Sequence, residues 1–349
     1  RLGISHSRGD AYIARAPTNV SMMVGHAMVA FAVATAVAAR RWPSERAIAF
    51  GVVAGAFAAV PDVDMLYAVF GLAQVGLAGV WTMTEAFWRS SHLVHRAVTH
   101  SLVVGVVAAV AFAAAAAGRG SGVLSSHRAW SSLLAVTLVV GLTGVSAAES
   151  GLLGGAVMAA FLLAGLAVAA VAASRTDFGP RTILAAALLG LLTHPFGDLF
   201  TGSPPHFLYP LDLRLLTERV TLLADPTLNL LAVFGVELAT IWLAGYVYLR
   251  ATDRRLLEHV DTRAAFGAAY ALAAVTMPAP TLDVSYHFVF SILAVGAVGV
   301  APNLLPSRSV LSAEWNEAVT WVLTGLTAVS IAALTYTLVY ASDVSVPFS

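Results

Sequence analysis

Two histidine-bearing runs stand out in a chain built mostly of alanine, valine, leucine and glycine. In His194-Pro195-Phe196-Gly197-Asp198 an imidazole and a carboxylate lie four residues apart, the spacing that puts both on one face of a helix. In His95-Arg96-Ala97-Val98-Thr99-His100 two imidazoles lie five apart and enclose an arginine and a hydroxyl. Ahead of these come His26, after Gly25, and the acids of Pro61-Asp62-Val63-Asp64, which point the same way if that stretch is extended. Imidazole nitrogen and carboxylate oxygen are the ligands of catalytic zinc and also suit manganese or iron. The chain has no cysteine, so thiolate ligands, disulfides and a cysteine nucleophile are excluded. The candidate ligands are His26, Asp62, Asp64, His95, His100, His194 and Asp198. They exceed one tetrahedral shell, and a pair of ions about 3.5–4 Å apart matches their number.

Each element also has a plainer reading. His26 alone is a polar helix end, and Pro-Asp-x-Asp alone is a capping turn. Arg96 alone is a headgroup anchor; beside ligands it is a clamp for an anion such as phosphate. Thr99 and Ser101 read as helix caps, His92 as an interfacial or supporting residue, and His206 as part of a loop. His6, His127, His259 and His287 lack acidic or histidine company at the level of the cluster, and Glu237 is an acid in an apolar run with no evident partner.

What raises the cluster above these readings is where the chain must place it. Hydrophobic residues make up 59% of the sequence, charged residues 11%, and mean hydropathy is +0.82. Soluble domains carry about 25% charged residues. The apolar residues fall in blocks, many near the roughly 20 residues that cross a bilayer. The expected fold is an all-α, polytopic transmembrane helix bundle of about 10 spans, at 22–39, 47–60, 101–117, 131–148, 151–173, 182–200, 226–250, 264–280, 284–302 and 318–342. The stretch 65–94 is read as re-entrant or interfacial, with Trp81 and Trp88 at headgroup depth. The expected organisation is a mobile tail at 1–21, a membrane domain carrying the cluster at 22–225, and C-terminal transmembrane helices at 226–349.

Parity then brings distant residues together. The first two spans form a hairpin, so the start of the first and the end of the second share a face. The third span starts on that face if 65–94 does not cross, and the sixth ends there. All seven candidate ligands emerge at one membrane surface. Of the 19 arginines, 12 fall in loops on the opposite side and 7 on this one; the positive-inside rule puts the larger group in the cytoplasm. The site is therefore expected at the extracytoplasmic face of the cell membrane, with both termini outside. Net charge is zero and no basic stripe suits nucleic acid.

At these residues the chain resembles the YdjM-like family of membrane-bound metal-dependent hydrolases, whose bacterial members include LexA-regulated inner-membrane proteins. The pattern is Gly25-His26, Pro61-Asp62-Val63-Asp64, His95-Arg96-Ala97-Val98-Thr99-His100-Ser101, His194-Pro195-Phe196-Gly197-Asp198-Leu199-Phe200-Thr201-Gly202 and Tyr209-Pro210. It covers about residues 22–215. Two features depart from an ideal pattern: the apolar segment between Asp64 and His95, and Pro195 with Gly197, which interrupt the helix between His194 and Asp198.

The resemblance and the residues together imply a membrane-embedded metal-dependent hydrolase. Its substrate is expected to be a phosphoester or other ester of a lipid or lipid-linked molecule at the membrane surface. A divalent metal, zinc before manganese or iron, brings a bound water toward pKa 7. Arg96 stabilises anionic charge, and Asp64 or Asp198, whichever does not hold metal, is the general base. The alternative is an ion-coupled or metal transporter using the same cluster. That reading expects polar groups on broken helices near the midplane and an internal repeat, and the sequence shows no repeat.

Overall fold

The computed structural model describes residues 23–67, 79, 83, 98–118, 126–282, 285–300 and 315–344. The N-terminal tail, most of 65–94, and with it His92, His95 and Arg96, lie outside them. The α-helices are α1 (Met23–Ala38), α2 (Ser44–Ala59), α3 (Leu102–Gly118), α4 (Ser126–Arg175), α5 (Pro180–Gly197), α6 (Pro226–Ala251), α7 (Ala271–Thr276), α8 (Tyr286–Val295) and α9 (Trp315–Val344), and the described residues hold no strand. Five stretches are long and apolar enough to cross a membrane: Ser44–Met65, Ser126–Arg175, Pro180–Phe200, Pro226–Ala251 and Trp315–Ser342. Val24–Ala38, Leu102–Gly118 and His287–Gly299 are shorter apolar helices. The chain is an all-α membrane helix bundle.

A straight helix of the length of α4 would run about 75 Å, far beyond a bilayer. It does not run straight. Gly151 has φ 69° and ψ −173°, a backbone conformation open to glycine and strained for side-chain-bearing residues. Beyond it, a Cβ on Gly155 would lie 2.9 Å from the Cβ of Ala147, and one on Gly154 would lie 2.9 Å from the Ser146 carbonyl oxygen. Residues eight apart on a straight helix are about 12 Å apart, so the chain doubles back at Gly151. The limbs 126–150 and 151–175 cover the spans expected at 131–148 and 151–173.

Two other expected spans are not continuous α-helices. Over 264–280 the chain forms a 3-10 helix, Thr262–Tyr270, and then the six-residue α7. A Cβ at Gly267 would strike the Ala328 backbone, and Pro278 disfavours helix at the residue before it. The two pieces rise about 27 Å together. Over 284–302 the ten-residue α8 passes into a 3-10 turn, Gly296–Gly299.

The turns α1–α2 and α4–α5 meet at one rim. The Arg46 guanidinium lies 4.8 Å over the Trp42 ring and 3.7 Å from Asp177, and Trp42 stacks 6.1 Å from Phe178. Both α2 and α5 therefore start at this rim and run to the opposite one. They approach closely at Gly190, where a Cβ would meet the Ala54 carbonyl oxygen, the Ala58 nitrogen at 2.7 Å and the Phe57 Cβ at 2.8 Å. Small residues permit such contact in lipid. Gly190→Ala is expected to destabilise the bundle by about 1–3 kcal/mol, read as a lowered thermal midpoint in detergent; an unchanged midpoint would contradict the close crossing.

The larger apolar cluster joins α1 to α5 around Phe57, Phe112 and Phe161, with Phe57 and Phe112 stacked at 5.7 Å. A second gathers Leu230, Phe234, Phe288, Ile292 and Tyr336 from α6, α8 and α9. Helix α6 also packs on α1.

Candidate metal centre

Helix α2 stops where it does because Pro61 has no N–H to continue the ladder. The Val60 N–H bonds the Phe57 carbonyl at 3.2 Å, the Val63 N–H bonds the Val60 carbonyl at 3.1 Å, and a 3-10 turn, Pro61–Tyr67, follows. This turn buries Asp62 and Asp64. His26 lies in the first turn of α1, His100 two residues before α3, His194 in the last turn of α5, and Asp198 just beyond it. All six are at most 5% exposed.

The described candidates converge. His100 Nε2 lies 3.1 Å from Asp198 Oδ2 and 3.9 Å from Asp62 Oδ1. His194 Nε2 lies 3.7 Å from Asp62 Oδ1 and 3.9 Å from Asp198 Oδ2. His26 Nε2 lies 3.5 Å from Asp198 Oδ1. The His194 ring is 4.2 Å from that of His26 and 4.5 Å from that of His100. Two overlapping trios, His26–Asp62–His194 and His100–His194–Asp198, each offer three ligand atoms within 4.8 Å of one another.

The cluster suits a cation on two grounds. Carboxylates buried together repel, and a divalent ion offsets that repulsion. The imidazoles are also set to receive one. His194 Nδ1 lies 2.7 Å from the Ala58 carbonyl. That oxygen only accepts, so Nδ1 carries the proton and Nε2 keeps its lone pair. Ala58 O belongs to the last turn of α2, where helical carbonyls lack partners. His26 Nε2 and His194 Nε2 are buried and make no hydrogen bond among the described residues.

Asp64 stands apart from the Nε2 side of His100. Its Oδ2 lies 3.6 Å from His100 Nδ1 and accepts a 2.8 Å hydrogen bond from the Thr99 hydroxyl. Asp64 and Thr99 flank the segment expected to return without crossing, and their contact means the chain leaves and re-enters the described bundle at one level.

The break expected between His194 and Asp198 is mild. Helix α5 continues through Pro195 to Gly197, and Asp198 keeps a right-handed helical conformation, so the four-residue spacing holds. Gly197 has a spatial role: a Cβ there would fall on the His26 imidazole.

Ser101 is a cap, as expected. Its hydroxyl accepts from the Val103 and Val104 N–H groups at 3.1 and 3.3 Å and donates to the Tyr209 carbonyl at 2.7 Å. It thus moors the loop 201–225 to the rim that holds the cluster. His206 in that loop is not part of the cluster. Burial, with Arg214 nearby, lowers its pKa, and Asp212 only partly opposes this. The folded state therefore binds fewer protons at His206 than the unfolded chain does, and the stability this gives is present above about pH 6.5 and lost as pH falls through the lowered value. Raising the pH from 5 to 7 is expected to raise the unfolding midpoint of the wild type more than that of His206→Ala; equal rises would contradict the shift.

Glu237, unexplained by the sequence, has a partner: from α6 it accepts a hydrogen bond from the Gly25 N–H beside His26. This N–H is one of the unsatisfied donors at the start of α1. Sequence reasoning also missed the Ala58 carbonyl and the roles of Thr99 and Gly197, which rest on contacts across the bundle.

The fold and the cluster define a polytopic membrane helix bundle with a buried His/Asp group able to hold a metal ion. The model of the YdjM inner membrane protein family matches residues 22–279. The chain belongs to that family, and the match reaches past α6 and α7, beyond the 22–215 on which the sequence resemblance rests. No curated protein and no solved structure matches the chain.

Proposed function

We propose that the protein is a membrane-embedded metal-dependent hydrolase acting on a phosphoester or other ester of a lipid or lipid-linked molecule. The observation that carries this is the meeting of His26, Asp62, His100, His194 and Asp198, from four parts of the chain, with His100 and His194 turning Nε2 toward Asp62 and Asp198. These five would hold the ion. Zinc suits this donor set, and manganese and iron share it. Each imidazole Nε2 has one lone pair, so His194, common to both trios, serves a single ion. A bound divalent ion would act as a Lewis acid and lower the pKa of a water toward 7.

The chain's own residues supply the rest. A carboxylate oxygen of Asp62 or Asp198 not engaged by metal would take the proton of the attacking water. Arg96, outside the described residues, keeps its expected part as anion clamp. A lipid substrate is supported by the loop moored at this rim, where Leu211, Leu213 and Leu215 are exposed between Asp212, Arg214 and Glu218. The arginine distribution supports an extracytoplasmic site.

The test is metal content and turnover of the protein purified in detergent. Chelation is expected to abolish hydrolysis of phospholipid or lipid-linked phosphate esters, and zinc to restore it. Equal turnover by metal-free protein would remove the metal from the mechanism, and failure to bind any divalent metal would end the proposal. Carriage of the metal itself is the rival reading, favoured by the near-complete burial of the cluster. Metal uptake into proteoliposomes without ester hydrolysis would decide for it.

A further inference from the structure

We infer that Thr99 and Asp64 form a hydrogen-bond relay that fixes the tautomer of His100, so that both are positioning residues and Asp64 is not a metal ligand. The inference rests on the reading of the cluster as a metal site and concerns how that site is set before metal arrives.

The Thr99 hydroxyl has one hydrogen and donates it to Asp64 Oδ2 at 2.8 Å. The same oxygen lies 2.9 Å from His100 Nδ1. With its hydrogen committed to the carboxylate, Thr99 offers Nδ1 only a lone pair, so Nδ1 must be the donor. In the neutral ring, the form able to take a metal, only one N–H remains, and with Nδ1 as donor it is the Nε2 lone pair that faces Asp198 and Asp62, 3.1 and 3.9 Å away. Asp64 Oδ2, 3.6 Å from the same Nδ1, anchors the relay at that edge of the ring. Thr99, His100 and Asp64 are all buried, so water does not compete for these bonds.

The hydroxyl is not needed for helix capping. Ser101 caps α3 through Val103 and Val104, and Thr99 makes neither of those bonds. The arrangement also parallels His194, where the Ala58 carbonyl fixes Nδ1 as donor. One imidazole is set by the backbone and the other by a side-chain relay, and in the neutral form both turn the Nε2 lone pair toward the carboxylates. Outer partners of this kind are worth about 10–100-fold in metal affinity.

The test uses the full-length protein in detergent, zinc titration and 15N-histidine NMR of the metal-free form. Wild type and Thr99→Ser should show His100 protonated at Nδ1 and bind zinc within about twofold of each other, since both keep the hydroxyl. Thr99→Val, of similar shape without the hydroxyl, should show mixed tautomers and bind zinc about 10–100-fold more weakly, while the metal-free protein stays folded with a thermal midpoint lowered by the loss of a buried hydrogen bond. Asp64→Asn, which keeps an acceptor oxygen for Thr99, should retain the tautomer and most of the affinity. Should Thr99→Val fail to fold, Asp64→Asn alone decides, because loss of zinc binding there would make Asp64 a ligand. A wild-type His100 protonated at Nε2 and not at Nδ1, or unaltered zinc affinity in Thr99→Val, would overturn the relay. These readouts need no turnover, so an absence of hydrolysis would defeat the proposed activity and leave the relay standing.

Discussion

Alanine at His194 or Asp198 is expected to empty the site of metal and abolish turnover. The loss should exceed the roughly 10–100-fold typical of outer partners, because each residue belongs to the set that would touch the ion. The two variants should differ in stability. His194→Ala also removes the donor to the Ala58 carbonyl and leaves a buried acceptor unsatisfied, at about 1–3 kcal/mol. Asp198→Ala relieves the crowding of buried carboxylates. Elemental analysis and thermal unfolding of both variants check this. Wild-type metal content in either would remove that residue from the site.

Gly197→Ala is expected to be nearly as damaging, although it adds one methyl group to a residue that is not a candidate ligand. The new Cβ would occupy the space of the His26 Cε1 and Nδ1 atoms. The ring must move, and Nε2 moves with it away from Asp198, now 3.5 Å distant. A shift of about 1 Å at a catalytic group costs on the order of a hundredfold in rate. Alanine is otherwise well suited to the end of a helix, so the bundle should still form. Zinc affinity and turnover should fall together while the protein stays folded in detergent. Wild-type behaviour would show that His26 is not seated against α5.

The sequence disclosed most of the cluster for a physical reason. Ionisable groups in lipid are costly and few, so His26, Asp62, His100, His194 and Asp198 are conspicuous against their apolar runs, and hairpin parity brings them to one level once 65–94 is read as not crossing. What stayed hidden depends on contacts between distant residues. Thr99 read as a cap because its own neighbourhood shows only a hydroxyl before a helix; the partner that gives it a role, Asp64, is 35 positions away. The Ala58 carbonyl has no sequence signature at all. Gly197 looked like a helix breaker, since the sequence does not show an imidazole filling the place of its side chain. The 3-10 stretch Thr262–Tyr270 was hidden in a run whose hydropathy alone reads as an ordinary span.

Each proposed ligand sits at or just past a helix end: the start of α1, the turn after α2, the approach to α3 and the close of α5. A bound ion would thus rivet four separately threaded rods at their tips. Sliding any one of them by a single turn, about 5.4 Å, would carry its ligand out of reach. Such an ion gauges whether the rods have seated in register and favours the seated form, by about 2.7 kcal/mol at a hundredfold excess over its dissociation constant. Metal supply would then govern how long the chain survives proteolysis in its membrane as well as whether it is active.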